Sequence, residues 1–380
     1  MGESHGVARH LNEEIDMTDR AHRLSRVLAL PLTLALSAGA LAACSSGESS
    51  GSGSGGEGGD GALKIALLLP ESKTTRYESF DRPLFEAAVK AECADCEVVY
   101  NNADQDATKQ QQQFESAITE DVDVIVLDAV DGKSAASLVS SAKSQDIPVI
   151  AYDRFVKGSD YYVSFDNQKV GELQGQALVD ALEEEGTSSG DIVMINGAPT
   201  DANAADFKKG AHSVIDKSDF TVAAEYDTPD WSPDKAQSWM EGQLSKVKGD
   251  LVGVYAANDG TAGGAIAALK GGGVDPLPPV TGQDAELAAI QRIVTGDQRM
   301  TIYKAIKPEA EDAAKAAIAL GNGDAPEAKD EKEGVPSTLL EPVVVTQDNI
   351  KDTIIKDEFY SVDDICTGSV AKACASAGIE

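Results

Sequence analysis

The stretch AYDRFVKGSDYYVSFDN, residues 151 to 167, closes an apolar run on Asp153-Arg154 and adds a second acid-amide pair, Asp166-Asn167. Similar groups recur along the chain. Lys73, Arg76 and Tyr77 stand in PESKTTRY, Asp128 precedes Ala129, and Asn203 stands in APTDANA. Trp231 lies in TPDWSP, followed by Asn258 beside Asp259, Asp284 beside Gln283, and Lys304. Carboxylates accept hydrogen bonds, Arg and Lys donate them, and amides do both, so together they suit a ligand whose hydroxyls donate and accept at once. A sugar is such a ligand. The C-H faces of a sugar ring also need flat apolar cover, and Trp231 and Tyr77 are the aromatic candidates among these polar groups.

The elements that must carry these residues alternate regularly. Short Val- and Ile-rich runs (LKIALLL, EVVY, DVIVLDA, IPVIAY) are separated by stretches of helical length such as RPLFEAAVKA. A second series, DIVMING, FTVAAEY, LVGVYAAN and PPVTGQD, alternates with helices expected near residues 202–217, 233–247, 260–270 and 285–296. Strand-helix alternation predicts an α/β fold with parallel sheets, here two doubly wound lobes. Ligands of such sheets bind beyond the carboxyl ends of the strands, where the polar clusters fall. Taken singly, each cluster also fits a helix cap or a solvated loop. Residues 321–334, GNGDAPEAKDEKEG, read as a crossover loop.

The chain has 380 residues, a formal charge of -32 and 42% hydrophobic residues, enough for two ordinary domains. So acidic a surface repels phosphate backbones, which excludes nucleic acid as a partner. Arg20, Arg23 and Arg26 precede the apolar run VLALPLTLALSAGALAA and then Cys44, the pattern of an export signal. LAAC resembles a bacterial lipoprotein box, which predicts a lipid on Cys44 that anchors the protein to the outer face of the cell membrane. Residues 45–61 offer nothing apolar to bury and read as a tether. The remaining cysteines form two local pairs, Cys93/Cys96 and Cys366/Cys374, each able to close a disulfide in an exported chain. Cys93 and Cys96 also have the spacing of a redox motif, but they join the end of an expected helix to a strand instead of opening a helix.

Enzymatic alternatives find little purchase. GTSSG (186–190) satisfies a nucleophile-elbow pattern but precedes a strand instead of following one. His5, His10 and His22 lie in the export segment, leaving His212 as the one candidate histidine base. KGGGVDP lacks the ending of a phosphate-binding loop, and the carboxylates near Asp104 and Asp106 lack the glycine and final Glu of a calcium loop. Neither cofactor nor metal is expected. Paired Asp residues leave a glycosidase as the enzymatic alternative.

AYDR, SFDNQKVGELQGQALVD, NDGTAGGAIAAL, GQDAELAAIQRIVTGDQRMTIYK and VPSTLLEPVVVTQDNIKDTIIKDEF together resemble the D-xylose-binding and multiple-sugar-binding proteins of sugar ABC transporters, over residues 63–360. The resemblance implies a bilobed protein with three interlobe crossovers that closes over one monosaccharide, works as a monomer and serves a membrane permease. It matches Lys73 and Arg76 to basic contacts of the first loop and Asp153-Arg154 to a pair that grips hydroxyls. Asn203 matches a ligand amide, Trp231 a ring-facing aromatic, Asn258 and Asp284 second-lobe contacts, and Lys304 a contact near the hinge. The first loop departs from the family at Pro70-Glu71, and Asp128 replaces an apolar residue; both bear on which sugar fits. The implied map assigns 62–165 plus 304–334 to one lobe and 166–303 plus 335–362 to the other, after a signal segment (1–44) and tether (45–61) and before a tail (363–380). A sensory module that docks on a membrane receptor would share this architecture.

Overall fold

The structure, a computed structural model, describes residues 62–379. Strands β1 (Lys64–Leu69), β2 (Glu97–Asn102), β3 (Val124–Leu127), β4 (Val149–Tyr152) and β5 (Tyr161–Phe165) alternate with helices α1 (Arg82–Glu92), α2 (Ala107–Thr119) and α3 (Gly132–Lys143). β3 to β5 are buried along their whole length, as continuous apolar runs require when helices cover both faces of a parallel sheet. The chain then leaves this sheet through Asp166 and builds α4 (Asn167–Glu184), β6 (Gly190–Asn196), α5 (Ala202–Ile215), β7 (Phe220–Asp227), α6 (Pro233–Val247), β8 (Leu251–Ala256), α7 (Asp259–Gly271), α8 (Leu287–Thr295) and β9 (Thr301–Tyr303). It returns for α9 (Ile306–Gly321), β10 (Asp330–Lys332) and β11 (Val335–Leu340), then crosses once more to β12 (Val343–Val345). The first sheet runs β10-β11-β5-β4-β3-β1-β2, and the second lobe holds β7-β6-β8 beside the pair β12-β9.

Three connections therefore join the lobes, at Asp166, at Lys304-Ala305 and at Glu341-Pro342. The Asp166 N–H donates to the Leu340 carbonyl at 3.1 Å, which ties two of them together. The third crossing corrects the expected boundary. Val335–Leu340 pairs in parallel with β5 and so belongs to the first lobe, not the second. The expected loop at 321–334 likewise ends in a strand, because Glu333 (φ 48°) and Gly334 (φ 85°) form a tight turn that folds β10 back on β11. PPVTGQD makes only the single bridges Val254↔Val280 and Gln283↔Ile302, since Pro278 and Pro279 have no N–H to give a ladder.

Each lobe has its core on both sides of its sheet: Leu67 and Phe85 on one face and Leu68 and Phe114 on the other in the first, Met194 and Phe207 on one and Val193 and Met240 on the other in the second. Both expected cysteine pairs are disulfides, Cys93–Cys96 and Cys366–Cys374. Cys93 ends α1, and the Cys96 N–H donates to its carbonyl at 3.2 Å, so the bridge closes the turn between α1 and β2. Cys96 packs half-buried against the first-lobe core. The tail is no loose end: Ile365, Cys374 and Ile379 are buried against Ile290 and Ile293 of α8, with Cys366 packed beside them. Cys44, the signal segment and the tether lie outside the described residues.

Candidate functional site

Five helices that follow strands here begin with a short polar side chain that accepts from their free N–H groups. Asp106, Asp131, Asp166, Asp201 and Asn258 all do so. The capping reading is therefore correct for Asp131 and Asp166. For Asp201 and Asn258 it is incomplete, because both also face a chamber enclosed between the lobes.

The first-lobe wall starts after β1. Glu71, fully buried, accepts the N–H groups of Lys73 and of Thr74 (3.0 Å) and curls the loop around itself. Lys73 spends its backbone N–H on that turn and leaves its side chain exposed, outside the chamber, a correction to the expected contact. Arg76 is held inside it. Its Nε and Nη2 donate to Asp81 (2.9 and 2.6 Å), Nη2 to Glu309 (2.8 Å) and Nη1 to Asp153 (3.0 Å). Four of the five guanidinium N–H bonds are thus spent on protein, and one on Nη1 remains. Burial would push the Asp153 carboxyl up, but Arg76, Lys304 and Arg154 outweigh it and hold the group below the usual carboxylate range. The Asp153 carbonyl takes donors from Tyr162, Ser164 and, across the cleft, Asn203 (2.9 Å).

Arg154 is pinned by donation from Nη1 to the Ala129 carbonyl and from Nη2 to the Tyr77 hydroxyl, each 3.1 Å. Its Nε faces Asp201 of the second lobe at 3.0 Å. Asp128 lies behind this guanidinium, 3.4 Å from Nε, and does not line the chamber. It is fully buried in the floor beneath Arg154, which corrects its expected role as a direct contact.

From the second lobe, Trp231 donates Nε1 to Asp201 at 3.0 Å and meets Phe207 edge to face at 6.3 Å. A Cβ on Gly197 would lie 2.0 Å from the indole, so only glycine admits Trp231 there. Asn258 spends its Oδ1 on the Thr261 N–H (2.9 Å), leaving its Nδ2 without a hydrogen-bond acceptor among the described residues. Buried Gln283 Oε1 has no hydrogen-bond donor among them either. Lys304, on the second crossing, sets its Nζ 3.1 Å from Asp284 and 3.6 Å from Asp153, one carboxylate from each lobe. Burial opposes its charge, yet those two carboxylates raise its pKa.

Asp153, Trp231 and Asp284 hold left-handed backbone angles (φ 53°, 51° and 92°). Such conformations cost of order 1–3 kcal/mol each in non-glycine residues and gather where side chains must be aimed. The cavity left between the lining atoms is only about 20 Å³. Side chains such as Lys304 must yield, or the lobes part, for a ring to enter.

The structure thus brings together nine of the eleven expected residues and adds Thr74, Asp201, Phe207 and Gln283. Cys93, Cys96, Cys366 and Cys374 do not line the chamber; their sulfurs are spent on the two disulfides, so Cys93 and Cys96 stand in a structural bridge away from the ligand site. Ser188 is exposed on the loop before β6, and His212 pairs with Asp216 and Glu225, not with Ser188.

Residues 65–325 match the periplasmic binding protein domain. The chain belongs to that family. Among its relatives is the D-xylose-binding periplasmic protein of Haemophilus influenzae, 38% identical over 313 residues that cover 80% of this chain and 92% of the relative. The protein of the same description from Escherichia coli is 37% identical over the same shares. Among solved structures, an ABC transporter solute binding protein from Clostridium phytofermentans with bound β-D-glucose superposes with a TM-score of 0.73 at 29% identity, covering 80% of this chain and 99% of that one. These family members are binding proteins for sugars, not enzymes.

Proposed function

We propose that this periplasmic binding protein captures one neutral aldose, D-xylose or a near relative, between its lobes and delivers it to the permease of a sugar ABC transporter. The observation that carries this reading is the chamber itself. Unspent donors and acceptors from both lobes (Arg76 Nη1, Asn258 Nδ2, Gln283 Oε1) surround it, and the aromatic rings of Tyr77, Phe207 and Trp231 supply apolar cover. The formal charges on its lining cancel: Arg76, Arg154 and Lys304 stand against Asp153, Asp201 and Asp284. A sugar acid or an amino sugar would unbalance them. The descriptions of the relatives, D-xylose for two and β-D-glucose for a third, support the ligand class.

Capture follows from the two-lobe geometry. A ligand that contacts both walls only when they are together shifts the population toward the closed form by its difference in contacts. The permease would then meet the closed shape. Calorimetry against xylose, glucose, arabinose, galactose and ribose tests the reading: one-to-one binding of at least one neutral aldose is expected, with glucosamine and xylonate weaker. Tightest binding of a charged sugar, or no binding of any aldose, would overturn it.

An extracytoplasmic lipid anchor at Cys44 completes the proposal, supported by the LAAC sequence and the apolar run before it. Cys44→Ser is expected to shift the protein from the membrane fraction to the soluble fraction of cells. Retention on the membrane would contradict the anchor.

A further inference from the structure

We propose that Arg154 exchanges carboxylate partners as the lobes close, leaving Asp128 of its own lobe for Asp201 of the other, and that Asp128 thereby sets how firmly the closed form holds. The sugar arm of its test rests on the proposed function; the geometry does not.

Two of the three groups involved are each tied to one lobe. Nη1 and Nη2 of Arg154 are committed to Ala129 and Tyr77, both of the first lobe, so the guanidinium stays with that lobe. Asp201 caps α5 and accepts from the Trp231 indole, so it travels with the second lobe. Only Nε, a single N–H, lies between the two carboxylates, at 3.0 Å from Asp201 and 3.4 Å from Asp128, ion-paired with both and aligned for a hydrogen bond with neither. Moving the lobes apart removes Asp201 and leaves Asp128 as the carboxylate at Nε.

Closing has the opposite consequence for Asp128. It is fully buried, and neither of its carboxylate oxygens has a hydrogen-bond donor among the described residues. A buried charge without donors is costly unless it takes a proton. The charged and titratable groups facing it are Arg154, Asp153, Arg76, Asp201 and Tyr77. Burial pushes its carboxyl well up, Asp153 and Asp201 add to this, and Arg154 and Arg76 oppose it. The closed form therefore favours a protonated Asp128, while the open form, with solvent admitted and Arg154 as its partner, favours the carboxylate. By linkage, acid favours closing, and affinity is lost as pH rises through the closed-form pKa. Asp128 is a positioning residue acting through Arg154, not a ligand contact.

Glu286 also titrates at the cleft, pushed up to about 7 by burial, Asp284 and, across the lobes, Glu71, with Arg292 opposing. Glu286→Gln is therefore the background for the test. In that background, D-xylose is expected to bind at least tenfold more weakly at pH 8.5 than at pH 5.5. Adding Asp128→Asn should remove the difference without weakening binding at pH 8.5. Asp201→Asn should weaken binding at both pH values. Unchanged pH dependence with Asp128→Asn, or equal weakening at both pH values, would overturn the exchange, the latter marking Asp128 as merely structural. Small-angle scattering of the sugar-free variants reads the same equilibrium: Asp128→Asn should be the more compact at pH 8.5, and an equal radius of gyration would contradict the proposal. If D-xylose fails to bind at any pH, the sugar assignment falls and the scattering comparison alone decides the exchange.

Discussion

Arg154→Ala is expected to raise the dissociation constant for the bound sugar more than a hundredfold. Arg154 is 2% exposed and contacts both lobes, so its removal takes away more than one donor. Asp201 would be left without the cation it meets across the cleft, and closing the lobes would bury that unpaired carboxylate. Truncating one partner of a buried, paired charge costs about 2–5 kcal/mol, where each 1.4 kcal/mol is tenfold. Arg154→Lys should recover part of the loss, because an ammonium keeps the charge but cannot reach Ala129, Tyr77 and Asp201 at once. Calorimetry beside circular dichroism separates lost binding from lost folding. A folded Arg154→Ala protein within tenfold of wild type would refute the role given to this residue.

The largest effect on stability is expected at a residue that does not line the chamber. Asp81 is fully buried and accepts from Arg76 Nε, Arg76 Nη2 and the Tyr152 hydroxyl (2.9, 2.6 and 2.6 Å). Asp81→Ala leaves that phenol without its acceptor and the guanidinium with one carboxylate fewer. Breaking a buried pair from one side costs about 3–5 kcal/mol. Denaturant unfolding should show a loss of that order, and sugar affinity should fall with it because Arg76 loses the partner that aims its remaining N–H. A loss below about 1 kcal/mol would mean that Glu309 and Asp153 hold Arg76 by themselves.

The alternation of strands and helices was legible in the sequence because both periods are local, and so was the placement of polar groups at strand ends. What those groups do was only half legible. A carboxylate after a strand is a helix cap by local rules, and nothing local tells Asp131, which only caps, from Asp201, which caps and also meets Arg154 across the cleft. Phe207 escaped notice, and Gln283 stood out only as the neighbour of Asp284. Phe207 lies inside α5 where an aromatic suits a core position, and it is in fact part of the second-lobe core as well as the chamber wall. Gln283 is aimed by its bridge to Ile302, a partner that periodicity cannot supply.

The remaining misplacements are failures of long-range pairing. Val335–Leu340 has the pattern of a strand in either lobe, and only its register against Tyr162–Phe165 assigns it to the first. The network behind Arg76 joins Glu309, 233 residues away in sequence, to a loop next to β1. Lys73 and Arg76 are both basic residues of that loop, yet a buried Glu71 turns one outward while Asp81 and Glu309 hold the other within. The charge pattern alone does not distinguish them.

A crystal structure at saturating D-xylose tests the central claim most directly. The expected result is one ring between the lobes, its hydroxyls within hydrogen-bond distance of Asp153 and Arg154 on one wall and of Asn258 and Asp284 on the other, with Trp231 or Phe207 against its face. Lobes closed directly upon each other with the sugar bound elsewhere, or a sugar touching one wall only, would contradict it.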